Sequence, residues 1–262
     1  AKTAYVIANT GALANGPFAN VTTEADLKAV TGDLISGNAA TQTKNNLWMS
    51  GTDDITFSGT DGSVTVQLGF VAAKIELIVK DNRTNLTGGT IEITDENVVL
   101  LYAGKSGKFF GTTADKAAQT AFYSGDISYP DFQTGVATES AVLKDAVGAA
   151  FTANANGDVF NHFYTFGNDG TSKPTILAIQ SKRTVGGADE TIYYPIQFTV
   201  ADAGNTIEPG NAYTVTLTLN GDVSAGGGGG TTNPEQPLVK SQITVTVTAA
   251  TWLAKTVSKD FN

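Results

Sequence analysis

Apolar and polar residues alternate at every second position along several stretches of this chain. Side chains two residues apart on an extended strand point to the same face, so this period predicts strands with one buried side. The clearest alternation lies in residues 63–68, 72–80 and 212–219. Pro195 cannot donate a backbone hydrogen bond, so its strand is expected at a sheet edge or at a bulge. Shorter or more uniformly apolar stretches predict further strands at residues 4–8, 55–57, 97–102, 163–166, 175–180 and 191–200.

Two stretches depart from this period. In residues 22–30, Thr23 stands at the N-cap position and an acidic residue follows three positions later, which predicts a short capped helix. Residues 138–150 carry a weaker apolar stripe and are interpreted as a second helix, and the rest of residues 111–160 is interpreted as long loops. The Asp61-Gly62 pair lies between two short strands and predicts a tight turn.

The end of the chain combines a glycine- and proline-rich segment with a regular strand pattern. Residues 225–237 contain five consecutive glycines and two prolines, which predicts a linker that cannot pack. Beyond it, Ile243, Val245 and Val247 alternate with threonines. A one-faced apolar strand on a flexible linker needs an apolar groove, either in its own body or in a neighbouring molecule.

The composition favours an all-β protein with a packed core and disfavours several partners. Of the 262 residues, 41% are hydrophobic and 16% are charged, and the 38 threonines and 29 glycines suit strand surfaces and turns. The formal net charge of −9 repels phosphate backbones, so nucleic acid is not an expected partner. The absence of cysteine removes disulfides and thiolate chemistry. No apolar stretch reaches the roughly 18 residues of a membrane helix.

Candidate chemical groups are few, and each has an ordinary structural explanation. His162 is the single histidine, and no G-x-S-x-G motif supplies a serine nucleophile. The Asp and Asn residues beside glycines are typical turn formers without the spacing of a calcium loop. The glycine run lacks the Gly-Lys-Ser/Thr of a phosphate loop. We therefore predict a protein that is not an enzyme and has no catalytic, cofactor or metal site, with a two-carboxylate hydrolase as a minor alternative.

A series of short motifs runs through the chain in a fixed order. They are Ala-Asn-Thr-Gly at 8–11, Phe-Phe-Gly-Thr at 109–112, Phe-Tyr-Thr-Phe at 163–166, Pro-Thr-Ile-Leu at 174–177, Tyr-Tyr-Pro-Ile at 193–196 and Asn-Pro-Glu-Gln-Pro at 233–237. Each motif alone is weak, but the ordered set resembles the fimbrillin family, the subunits of type V pili. The resemblance spans nearly the whole chain.

This resemblance implies an all-β fold of two transthyretin-like Greek-key β-sandwich domains, with a few short helices and a C-terminal donor-strand arm. The first domain is expected at residues 1–69, the second at 70–224, the linker at 225–237 and the arm at 238–262. Family members carry further strands before the Ala-Asn-Thr-Gly turn, whereas only eight residues precede Asn9. The first domain is therefore expected to be N-terminally trimmed, or incomplete as given.

The resemblance also implies a structural role outside the cell. Family members are exported as lipoproteins, lose an N-terminal strand by proteolysis and polymerise by strand exchange into a fimbria attached to the outer membrane. The expected partners are other copies of the chain or related pilins, and membrane contact is expected only through the removed lipid anchor. The alternative is a surface adhesin or tip protein that binds a host glycan or host protein during colonisation or virulence. The residues expected to carry polymerisation are Ile243, Val245, Val247, Trp252 and Leu253.

Overall fold

The computed structural model describes the chain as a set of β-sheets with very little helix. Within the described residues there are 17 strands and two short helices, which confirms the predicted all-β class. The described residues are 2–9, 16–33, 47–83, 89–94, 98–123, 142–144, 150–151, 158–221, 223–225, 229–238, 243–252 and 255–261.

The elements are numbered in chain order. The helices are α1 (Glu24–Ala29) and α2 (Thr113–Ala117). The strands are β1 (Thr3–Ala8), β2 (Thr31–Asp33), β3 (Met49–Asp54), β4 (Thr56–Ser58), β5 (Asp61–Phe70), β6 (Ala73–Asp81), β7 (Thr90–Thr94), β8 (Val98–Leu101), β9 (Ser106–Lys108), β10 (Val142–Lys144), β11 (Ala150–Phe151), β12 (Asp158–Thr165), β13 (Ile176–Val185), β14 (Ala188–Gln197), β15 (Asn211–Leu219), β16 (Ile243–Thr251) and β17 (Lys255–Phe261).

The strands of the earlier part of the chain, up to Phe70, form a sheet together with the C-terminal strand β17. Its order is β1-β3-β5-β17, and β4 also pairs with β5. In β5, Val64, Val66 and Leu68 are buried and alternate with exposed residues, as the period of two predicts. Helix α1 begins at the predicted cap. The Thr23 side chain accepts a hydrogen bond from the backbone of Asp26 at 3.1 Å, and the Asp26 carboxylate accepts one from the backbone of Thr23 at 2.9 Å.

The later part of the chain, from Ala73 to Leu238, builds a four-stranded sheet, which includes β16, and a six-stranded sheet around the main core. One sheet has the order β12-β6-β15-β16, in which β15 runs parallel to β6. The other has the order β10-β8-β13-β7-β11, with β14 on the other side of β13. Leu77 and Val215 from the first sheet pack in one fully buried cluster with Ile179 and Tyr194 from the second. Among the described strands β14 pairs only with β13, so Pro195 lies on an edge strand, as predicted.

A further hydrophobic cluster joins the two parts. Phe109, Phe110 and Phe166 from the later part pack against Tyr5 and Trp48 from the earlier part. The ring centroids of Trp48 and Phe109 are 5.0 Å apart, and Tyr5 meets Phe110 edge-on at 5.1 Å. Aromatic pairs of this kind add about 0.5–1.5 kcal/mol each beyond the burial of their area. The two parts therefore share a packed junction. The domain limits and the Greek-key order stay predictions.

The predicted Asp61-Gly62 turn is wrong by two residues. The hairpin between β4 and β5 turns at Gly59 and Thr60, whereas Asp61 and Gly62 already belong to β5 and pair with β4. Gly59 has a φ of 65°, a left-handed conformation that glycine adopts without steric cost. The Asp-Gly pattern was therefore a weaker guide than the glycine two positions before it.

The helical interpretation of residues 138–150 is wrong where the structure describes that range. Val142–Lys144 form β10, antiparallel to β8, and Ala150 begins β11 opposite β7. The Leu143 side chain is fully buried in the main core. The periodicity of a short apolar stretch fits a helix or a strand equally well. Here the pairing with β8 and β7 identifies both segments as strands. The rest of the range lies outside the described residues.

The glycine- and proline-rich segment packs more closely than predicted. Residues 229–238 lie against the outer edge of β14, where Thr231 pairs with Tyr193. The exposed fraction is 7% for Thr231 and 8% for Leu238, and Gly230 is also buried. The prediction of a linker that cannot pack is therefore wrong for residues 229–237, while 226–228 lie outside the described residues.

Candidate functional site

The C-terminal arm, defined here as β16, Trp252 and β17, lies along both parts of the chain. Strand β16 pairs antiparallel with β15 over nine residues, and β17 pairs antiparallel with β5 over seven. Among the described strands, neither β16 nor β17 has a partner on its other side. The arm can therefore leave both sheets without breaking any other strand pair among the described residues.

Strand β16 turns an apolar row toward the body of the protein. Val245 and Val247 are half-buried and pack against the main core, while the neighbouring Thr244, Thr246 and Thr248 are exposed. This is the alternation that the sequence predicts. A fully buried aliphatic side chain contributes about 1.5–3 kcal/mol, so half-buried valines contribute less. Leu253 and the side chain of Ile243 lie outside what the structure describes, and the role of all these residues in polymerisation stays a prediction.

Trp252 follows β16 and fills an aromatic slot at the junction of the two parts. Its ring stacks on Phe70 with centroids 3.9 Å apart, and on Tyr164 with centroids 5.6 Å apart. Its backbone N–H donates a hydrogen bond of 2.8 Å to the carbonyl oxygen of Gly210. Phe70 ends β5 and Tyr164 lies near the end of β12. Trp252 is therefore the main side-chain anchor of the arm among its described residues.

Strand β17 is held in a different way. Residues 256–259 are all exposed, and Val257 has an exposed fraction of 41% although its register partner Val66 is almost fully buried. The hydroxyl groups of Thr65 and Ser258 are 3.1 Å apart across the strand pair. The attachment of these four residues rests mainly on backbone hydrogen bonds, each worth about 0.5–1.5 kcal/mol net. We therefore expect β17 to be released more easily than β16.

Residues from both parts of the chain line an open pocket of about 460 Å³. Tyr5 and Phe110 line it together with Glu24, Lys28 and Asp115. The Tyr5 hydroxyl donates to Glu24 at 2.5 Å, and the Lys28 ammonium lies 2.7 Å from the same carboxylate. The hydrogen bond to Glu24 raises the pKa of Tyr5, and the hydrogen bond from Lys28 lowers the pKa of Glu24. Aromatic rings beside mixed charges can bind a polar ligand with an apolar face, such as a sugar ring.

The residues considered for catalysis or metal binding make ordinary contacts. His162 Nε2 lies 3.2 Å from a carboxylate oxygen of Glu76. The Asn168 side-chain oxygen accepts a hydrogen bond of 2.9 Å from the Gly170 N–H, in the turn that the sequence predicts. Across the described ranges, no three His, Cys, Asp or Glu side chains form a group that could hold a metal ion. No helix in the described part of the chain is long and apolar enough to cross a membrane.

Sequence reasoning missed two features of the arm. It did not predict β17, because Lys255–Phe261 interleaves two lysines and an aspartate with only two apolar residues and gives no clear period. It also missed the slot for Trp252, because Phe70 and Tyr164 are distant in sequence and meet only in the folded chain. The one available signal was the aromatic character of Trp252 itself, directly after a one-faced strand.

Comparison with known families gives two matches along the chain. The model of the C-terminal domain of the FimA-like major fimbrial subunit protein matches residues 72–252. The model of the major fimbrial subunit protein (FimA) matches residues 1–64. No match was found among curated proteins.

Solved structures resemble the chain over nearly its whole length. A putative cell adhesion protein from Bacteroides eggerthii DSM 20697 is 60% identical, with a TM-score of 0.77 over 96% of this chain and 78% of the other. A fimbrilin (fimA) from Porphyromonas gingivalis W83 is 19% identical, with a TM-score of 0.54 over 96% and 80%. A putative cell adhesion protein from Parabacteroides distasonis ATCC 8503 is 14% identical, with a TM-score of 0.55 over 96% and 83%. The last two resemble this chain in fold alone.

Proposed function

Because the chain belongs to the FimA-like family of major fimbrial subunits, we propose that it polymerises into a cell-surface fimbria by exchanging its C-terminal arm with neighbouring copies. One observation carries the proposal: the arm is attached through two edge strands and one stacked tryptophan. An arm of this kind can leave its own body and bind the same edges of a neighbour. The role is structural and non-enzymatic.

Exchange of the arm allows a filament to grow without any covalent bond being formed or broken. When the arm leaves, the edges of β5 and β15 present unpaired N–H and C=O groups, and Phe70 and Tyr164 lose their stacking partner. Unpaired strand edges favour the addition of another strand. An arm from a second copy restores these contacts. Because donor and acceptor surfaces differ, each subunit donates one arm and accepts another, a free arm or free edge remains only at the filament ends, and the assembly is open-ended.

Single-cysteine variants test this exchange, because the natural chain has no cysteine. Thr65→Cys in one preparation and Ser258→Cys in another place one thiol on β5 and one on β17. If arms exchange onto the β5 edge, mixing the two before assembly and oxidising the filaments yields disulfide-linked dimers of the two variants. Non-reducing gel electrophoresis measures them.

The matched control replaces Thr65→Cys with Thr171→Cys, an exposed position in the turn after β12. This mixture is expected to give no more than about a tenth of the cross-linked dimer. Filaments that assemble normally from Thr65→Cys and Ser258→Cys chains but never cross-link would show that the arm binds elsewhere. The absence of filaments from the natural chain under assembly conditions would contradict the fimbrial function itself.

Family membership alone supports the remaining parts of the proposal. We expect attachment of the fimbria to the outer membrane, and export with a lipid anchor that is removed with an N-terminal segment before assembly. Mass spectrometry of native fimbriae checks this expectation by giving the N-terminus of the assembled subunit. A lipid-modified residue retained in the shaft would contradict it.

Adhesion to a host glycan or host protein is the second candidate function. The pocket between Tyr5 and Phe110 favours it, because its aromatic wall and mixed charges suit a sugar ring. We expect Tyr5→Ala to weaken glycan binding at least tenfold on a glycan array. Phe57→Ala, which removes an exposed aromatic ring outside the pocket, is expected to leave binding unchanged. If the natural protein binds no glycan and no matrix protein, adhesion through this pocket is wrong.

A further inference from the structure

The segment between the body and the arm lies along a sheet edge that no other described strand covers. On one side β14 pairs with β13 over its whole length. On the other side the Tyr193 N–H donates to the Thr231 carbonyl oxygen at 2.9 Å, and the Thr231 N–H donates back to Tyr193 at 2.9 Å. Two reciprocal bonds of this kind are the hydrogen-bonded pair of an antiparallel ladder. Thr231 therefore takes the position of a further strand residue beside β14.

The close approach to β14 requires glycine just before Thr231. A Cβ atom at Gly230 would lie 2.1 Å from Cγ2 of Ile192 and 2.9 Å from the backbone oxygen of Val223. Ile192 is fully buried in the main core, so it has little room to move. Val223 is also fixed, because its oxygen accepts a hydrogen bond from Tyr194 at 3.4 Å. The glycine run thus provides close packing at this position, and not only chain flexibility.

The segment after Thr231 is fixed at both its turn and its end. The Glu235 N–H donates to the Asn233 side chain at 2.8 Å, which closes a local turn. The Glu235 carboxylate accepts a hydrogen bond of 2.7 Å from the Tyr102 hydroxyl, and its backbone oxygen accepts one of 3.0 Å from the Gln197 side chain. Leu238 then enters the main core. Backbone, side-chain and apolar contacts therefore all hold residues 229–238 to the body.

We propose that residues 229–238 form a fixed strap, which seals the edge of β14 and stays docked while the arm exchanges. This inference rests on the proposed function. The strap closes β14 to strands from neighbouring copies, so donor strands are directed to the edges of β5 and β15. With the strap docked, the part of the chain that can leave the body begins at residue 239 and not at residue 225. The fully extended reach of the arm is therefore shorter by roughly 50 Å, at about 3.3–3.6 Å per residue.

Hydrogen–deuterium exchange with mass spectrometry tests the strap in the full chain, before and after assembly. Peptides covering 229–238 are expected to be protected in both states, with rates that differ less than twofold. Peptides from β16 are expected to show a transient loss of protection during assembly. If peptides covering 229–238 lose protection at least tenfold together with β16 during assembly, or stay unprotected in filaments, the strap leaves with the arm and the inference is wrong, although polymerisation by the arm still stands. If no filaments form, the proposed function fails instead.

Two variants test whether the contacts of the strap, and not the general stability of the chain, protect residues 229–238 from exchange. Gly230→Ala is expected to raise exchange in 229–238 at least tenfold, because the added methyl group collides with Ile192. The control Gly69→Ala adds the same group where nothing lies within 4 Å, and it is expected to leave these peptides protected. Tyr102→Phe removes the hydroxyl group that donates to Glu235 and accepts a hydrogen bond of 3.1 Å from Lys173, and it is expected to raise exchange severalfold in a folded chain. Unchanged exchange in both Gly230→Ala and Tyr102→Phe would overturn the inference.

Discussion

Deleting residues 239–262 is expected to reduce filament formation to background while the rest of the chain stays folded. The deletion removes both strands of the arm and the ring of Trp252, but it leaves Leu238 in the main core. The buried members of the main core all lie outside the arm, which adds only the half-buried Val245 and Val247 to it among the described residues. Without a donor strand, no subunit can complete the edge of another. Electron microscopy and sedimentation measure the loss of filaments, and circular dichroism measures the retained fold.

A shorter deletion serves as the control. Removing residues 255–262 takes away β17 but keeps β16 and Trp252, so we expect partial assembly with faster dissociation. Filaments formed in normal amount by the 239–262 deletion would rule out the arm as the donor. Loss of the circular dichroism spectrum would instead show that the arm is required for folding. A chain whose arm is present but held to β5 by a disulfide distinguishes these two cases.

A disulfide between positions 65 and 258 within one chain is expected to block assembly almost completely. Thr65 and Ser258 face each other across β5 and β17 with their hydroxyl oxygens 3.1 Å apart, so cysteines at both positions are close enough to bond. The oxidised Thr65→Cys/Ser258→Cys chain cannot release its arm. We expect filament formation at background level after oxidation of the monomer, and recovery to the natural level after addition of a reductant.

The same variant is expected to be more stable than the natural monomer, which separates locking from misfolding. The bond would close a loop of 193 residues. The chain-entropy model gives about 5 kcal/mol of stabilisation for a loop of this length, as an upper figure. Thermal unfolding of the oxidised monomer should therefore occur at a higher temperature. A locked, more stable monomer that still assembles would contradict exchange of β17. Each single-cysteine variant is the control and should assemble normally.

Much of the fold could be predicted from the sequence where one face of a strand is buried. In β5 and β15 the buried residues alternate strictly with exposed or half-exposed ones, so the period of two is visible in the residue types. The capped helix α1 was also predicted, because a capping box uses residues three positions apart and is a local signal. Val245 and Val247 were likewise placed on the body side of β16 by their alternation.

The rest depends on contacts that a local pattern does not contain. The described side chains of β17, at residues 256–259, are all exposed, so their residue types look like those of a polar tail. The glycine run was interpreted as flexible because nothing in the sequence indicates that Ile192 approaches Gly230. The slot for Trp252 is formed by Phe70 and Tyr164, which the sheets bring together from two parts of the chain. The attachment of β17, the packing at Gly230 and the slot for Trp252 all depend on how distant segments are aligned in the fold.

The aromatic junction has a consequence for the stiffness of a fimbria. Phe109, Phe110 and Phe166 pack with Tyr5 and Trp48 into one cluster between the two parts of the chain. Domains joined by a large hydrophobic contact lose the relative motion that is otherwise expected between domains. Each subunit would then behave as one rigid segment. Bending of the filament would be concentrated at the exchanged arms, so the length and docking of the arm would set its persistence length.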